Sequence, residues 1–189
     1  MVVESFSTLT EFGVAIAGFS GIAIVLSGRE RAISPVNWLR NISLLCASLG
    51  AAFGSVVPPL LTSFGATSAT IWASSSAFLA FVCAVLVLIP VLGVRRFSPA
   101  ERAQLSPYVW AVALVGNPVV GGWLVLNCTG VLGVANAGPA YSGVVWLLLY
   151  ATIMFVRMLA SFRATPAAQQ GAAAPRARAG RANSTTESG

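Results

Sequence analysis

The chain is 189 residues long, 57% hydrophobic and only 8% charged, with a mean hydropathy of +0.83. A soluble domain carries roughly 25% charged residues, so this composition excludes a water-soluble globule and implies an integral membrane protein without a large extramembrane domain. The net charge of +6 rests on eleven arginines; histidine, aspartate and lysine are absent, which leaves five glutamates and three cysteines as the candidate groups for chemistry.

Five apolar segments predict an all-α, integral membrane helical bundle of five transmembrane helices: Leu9 to Ser27, Ile42 to Leu61, Ile71 to Gly93, Val109 to Leu126 and Ala140 to Phe162. Each is long enough to cross about 30 Å of hydrocarbon at about 1.5 Å per residue. In the first, Gly13, Ala17 and Gly21 share one arc of the helix, suited to packing, while Phe12, Ile16, Phe19 and Leu26 lie opposite. Glu11 falls at the edge of the small arc, so it is expected to face neighbouring helices or a crevice more than lipid. A carboxylate in hydrocarbon is costly, which makes Glu11 a candidate either for an interhelical hydrogen bond or for proton or cation handling. The arginines follow this segment and none precedes it, the charge order of an uncleaved anchor with its N-terminus outside.

The second segment carries Ser43, Ala47, Gly50 and Gly54 at helical spacing and is the expected centre of the bundle, because small faces let backbones approach where lipid removes the hydrophobic drive. Pro58 and Pro59 are expected to end or bend it. In the third, Ser74, Ser75 and Ser76 are expected to bond back to their own helix. The fourth is irregular, with Gly116, Asn117, Pro118, Gly121 and Gly122 around its middle. Pro118 deprives the Leu114 carbonyl of its donor and predicts a kink. Depth counting puts Asn117 level with Tyr150 of the fifth segment, so the two are expected to meet as interhelical glue or as part of a polar pathway.

Residues 1–163 therefore form the expected transmembrane domain, and the Ala-, Pro-, Gly- and Arg-rich residues 164–189 a disordered basic cytoplasmic tail. Arg163, Arg176, Arg178 and Arg181 suit anionic lipid, and the lack of interleaved aromatic residues argues against nucleic acid. All eleven arginines fall in the first and third connections or the C-terminal end, which puts those parts in the cytoplasm and the N-terminus outside. Aromatic residues near the predicted boundaries, among them Trp38, Phe97, Trp72 and Trp123, agree with that threading.

Gly18-Phe19-Ser20-Gly21 matches the GxSG string of rhomboid-type intramembrane proteases, but the serine of that motif needs a histidine base, and the chain has none. Cys46, Cys83 and Cys128 show no metal-binding or redox spacing and suit apolar packing. No enzyme activity, cofactor or metal is expected. The glutamate before AGFSGI, the arginine-rich loop, the small-residue second span ending in proline, and the GPAY-to-FVRML last span resemble a group of small uncharacterised bacterial polytopic inner-membrane proteins. That resemblance implies a bacterial inner-membrane location and a compact bundle, and brings no activity. The expected role is packing, as a homo-oligomer or a subunit of another membrane protein. The alternative is a small proton or ion channel or transporter with Glu11 at its outer mouth.

Overall fold

The computed structural model describes residues 11, 13–16, 18, 21, 35–95, 97–99, 102, 110–131 and 133–163, the last three by backbone only. The chain falls into two units, Met1–Phe155 and Val156–Gly189. The second is described only where the last helix runs into it, at residues 156–163.

Every regular element among the described residues is helical. We label them α1 (Pro35–Ser63), α2 (Ser68–Val94), α3 (Asn117–Cys128), which a π-helical turn at Val112–Gly116 precedes, and α4 (Ala137–Arg163). Helical residues between positions 11 and 21 add part of an N-terminal segment. Pro35–Ser63, Ser68–Val94 and Ala137–Ala160 are each long and apolar enough to cross a membrane, whereas Val112–Cys128 is a shorter apolar helix. Most of the first predicted segment lies outside the described residues.

Local chemistry sets the helix ends. Pro35 opens α1, where the missing N–H costs nothing and the fixed φ favours the first turn. The helix continues through Pro58 and Pro59 to Ser63 instead of ending there. The Thr62 hydroxyl donates to the Pro58 carbonyl at 2.8 Å just beyond them. Gly65, with φ of 73°, closes the helix, and its N–H reaches the Thr62 carbonyl at 3.0 Å. Thr67 then caps α2 by accepting from the Thr70 N–H at 3.3 Å.

Of the three long helices α1, the second apolar segment, has the largest buried share and α2 the smallest. α2 packs against both α1 and α3. Its Leu79, Cys83 and Leu86 are almost wholly buried. The reason is a division of labour: glycines on the surrounding helices provide sockets, and bulky α2 side chains fill them. A Cβ placed on Gly54 would stand 2.5 Å from Leu79 Cδ2, and one on Gly50 2.5 Å from Val82 Cγ1. On α4, Gly143 leaves room for Leu79 and for Leu124 of α3, with a Cβ there 3.2 Å and 3.1 Å away. The roles reverse at the end of α2, where Leu39 of α1 covers Gly93. α2 thus supplies bulk to α1 and α4 at Gly50, Gly54 and Gly143, and to α3 where Cys83 stands against Gly121. The outward side of α1, with Leu49, Phe53, Val56 and Leu60, remains exposed.

The close fit sets a measurable contrast. Gly54→Ala should lower stability by about 1–3 kcal/mol, since Leu79 has nowhere to retreat. Gly122→Ala, with nothing within 4 Å of the added methyl, should stay within about 0.5 kcal/mol of the parent. Reversible unfolding in mixed micelles would measure both; equal losses at the two positions would contradict the socket packing.

Candidate functional site

The only expected polar residue near the middle of the fourth segment, Asn117, is fully buried. It stands at the junction between the π-turn Val112–Gly116 and α3, immediately before Pro118. In α-helical register Pro118 would orphan the Leu114 carbonyl, as the sequence suggests. In the i→i+5 register of a π-turn, the carbonyl facing the missing N–H is that of Ala113. The Asn117 side chain repairs this loss, its Nδ2 donating to the Ala113 oxygen at 3.1 Å. The asparagine amide thus stands in for the proline's absent backbone donor.

The other end of the same amide bridges helices. Asn117 Oδ1 accepts from Trp146 Nε1 of α4 at 2.9 Å. The Trp146 ring lies over Gly116 and occupies the space that a Cβ there would need. Both polar ends of Asn117 are therefore engaged, one along its own helix and one across to α4.

Asn117 and Tyr150, expected to meet, make their hydrogen bonds to other residues. Tyr150 is one helical turn beyond Trp146 and almost completely buried, and its hydroxyl pairs with the Ser43 side chain of α1. Asn117 and Tyr150 thus tie α4 to two different helices at adjacent turns. Trp146 escaped notice in the sequence because it read as an apolar residue. Its position four residues before Tyr150, on the same helix face, was the available signal.

A second buried amide, Asn127, also went unnoticed. Its Nδ2 donates to Ser76 Oγ of α2 at 2.8 Å and to the Asn136 carbonyl at 3.1 Å, while its Oδ1 accepts from the Asn136 N–H at 3.2 Å. Asn136 in turn caps α4, its Oδ1 accepting from the Gly138 N–H at 3.1 Å. Ser75 bonds back to the Ile71 carbonyl at 2.7 Å as serines in apolar helices do, but Ser76 is spent across helices. Among the described residues, no buried side-chain nitrogen or oxygen lacks a partner.

The N-terminal segment differs from its expected arrangement. Gly13 is buried, and a Cβ there would stand 3.2 Å from the Ser48 carbonyl and 3.3 Å from the Ala52 Cβ. Ile16, assigned to the opposite side, is buried with it, whereas Gly21 has nothing within 4 Å of an added Cβ. The packed arc is therefore rotated toward Ile16. With that rotation Glu11 falls on the far side and is exposed, with Val14 and Ala15, rather than turned into the bundle. Ala17, Phe19 and Ser20 lie outside the described residues, as do Arg176, Arg178 and Arg181; Arg163 is described by its helical backbone alone.

Compared with protein-family models, curated protein sequences and solved structures, the chain matches none.

The Asn117–Trp146 bond is open to a double-mutant cycle. Asn117→Ala should cost about 1–3 kcal/mol, since it strands the Ala113 carbonyl and the indole N–H together. Trp146→Phe should remove the bond while keeping a ring over Gly116. The coupling between the two substitutions should be about 0.6–1.7 kcal/mol, the range for hydrogen bonds between membrane helices. Additive losses would mean that the bond contributes nothing to stability.

Proposed function

We propose that the chain is a non-enzymatic, multi-pass protein of a bacterial inner membrane that acts through helix packing, as a homo-oligomer or a membrane subunit of another protein. The observation that carries this reading is the full internal use of its buried polar groups. Asn117, Asn127, Ser43 and Tyr150 tie helices to one another, and no buried side-chain donor or acceptor among the described residues is left over to line a polar path. The absence of histidine, aspartate and lysine from the sequence further disfavours acid–base or nucleophilic catalysis.

In this reading the helices cross the bilayer five times. Residues 110–128 are helical throughout and would extend about 28 Å, close to the hydrocarbon thickness, and the N-terminal segment supplies a further crossing. The arginine distribution supports an external N-terminus and a cytoplasmic C-terminus. The basic residues of the tail, Arg163, Arg176, Arg178 and Arg181, would then meet the anionic inner leaflet.

Two measurements on the full chain in liposomes test the role. Energy transfer between donor- and acceptor-labelled copies should rise with protein-to-lipid ratio if the chain self-associates, and stay flat if it is a subunit awaiting a different partner. Proton or alkali-cation flux should not exceed that of empty liposomes. Flux that disappears in Glu11→Gln or Asn117→Ala would overturn the packing role in favour of a channel or transporter.

A further inference from the structure

The start of α1 and the end of α2 meet at one end of the helix pair, among arginines. Leu39 sits against Gly93, where a Cβ would stand 2.7 Å from Leu39 Cδ1. The Arg95 N–H closes α2 on the Gly93 carbonyl, and the Phe97 N–H then reaches the Val94 carbonyl at 3.1 Å. This turn folds Phe97 back until it is only 8% exposed, in a cluster with Val36 and Leu39 against which Ile89 and Val94 pack. The arginines on either side are thereby held at one end of the helix pair. Arg40 follows Leu39 directly and donates to Asn37 Oδ1 at 3.4 Å. Arg95 follows Val94 and is exposed, and Arg102 begins the next helical turn, its N–H on the Ser98 carbonyl at 3.0 Å. Trp38, 56% exposed, lies at the same end.

Charge counts sharpen the asymmetry. Residues 28–41 and 94–108 hold six arginines against two glutamates, whereas residues 62–70 and 127–139, at the other end, hold no charged side chain. All the cations are arginine, whose planar fork matches phosphate oxygens and is less strongly hydrated than an ammonium group. An exposed indole beside them sits where amphipathic rings settle among headgroups.

We propose that this end of the helix pair, with Arg40, Arg95 and Trp38 at its core, is a binding surface for the headgroups of anionic phospholipids. The guanidinium groups engage the phosphodiester, Trp38 packs at headgroup depth, and the apolar outer side of α2, with Leu88, Val91 and Leu92 exposed, runs along the acyl chains. Zwitterionic lipids offer the same phosphate but add a cation that the arginines repel. The inference rests on the membrane-embedded reading and is independent of self-association and of the tail.

Native mass spectrometry of the detergent-solubilised full chain, equilibrated with equal amounts of phosphatidylglycerol and phosphatidylcholine, tests it. The parent should retain phosphatidylglycerol preferentially. Arg40→Gln with Arg95→Gln should cut that preference by about fivefold per charge removed. The paired Arg→Lys variant should keep part of it, which separates loss of charge from loss of fold. Replacing Arg163, Arg176, Arg178 and Arg181 together by Gln should leave it intact, and soluble glycerol phosphate should not displace the lipid. The proposal is overturned if the Arg40/Arg95 glutamine pair retains phosphatidylglycerol as the parent does, if the tail variant alone abolishes the preference, or if glycerol phosphate displaces the lipid.

Discussion

The bundle depends on backbone contact at glycine. In water a helix can be held by burying leucines, but in hydrocarbon a leucine gains little by leaving lipid for protein, so attraction must come from close fit. Leu79 illustrates the solution. It is fully buried between α1 and α4, entering the space left by Gly54 on one side and Gly143 on the other. A side chain at either glycine would push two helices apart at once. The arrangement also explains why α2 has so little polar character of its own at its centre. It works as the supplier of bulk, and its neighbours as suppliers of space.

Hydrogen bonds then fix what packing leaves free. Two apolar helices with smooth faces can slide or rotate against each other at little cost, whereas a buried amide with one available partner cannot. Asn117 to Trp146 and Tyr150 to Ser43 pin α4 at adjacent turns to α3 and to α1, respectively. Asn127 to Ser76 pins α3 to α2. Three polar contacts thus set the register of four helices, each worth little by itself in a membrane but costly to leave unmade.

That the chain would form helices long and apolar enough to cross a membrane was legible in the sequence because it follows from run length and charge depletion, which are local. The sockets at Gly50 and Gly54 were also visible, as small residues at helical spacing. The polar partner of Asn117 was missed by one turn: Trp146 lies on the same face of α4 four residues before Tyr150, and its indole N–H is hidden inside an otherwise apolar reading. Glu11 was misplaced too, since a rotation of the packed arc toward Ile16 was enough to turn it outward. The sequence marked Pro118 as a disturbance of the helix, but not that the Asn117 side chain would donate to the Ala113 carbonyl of the π-turn before it.

The amides of the last two helices also bear on how the protein enters the membrane. Asn117 finds Ala113 and Trp146, and Asn127 finds Asn136, all within residues 113–146. The α3–α4 hairpin therefore carries its own partners for both amides before it meets α1 or α2. A polar side chain released into lipid unsatisfied would favour return to the aqueous channel of the insertion machinery; a hairpin already closed on itself carries no such penalty. Only Ser76 and Ser43 are added from outside, and these are hydroxyls that can bond to their own helix while they wait. The late helices thus hold partners for both amides within their own hairpin before any contact with α1 or α2 is counted.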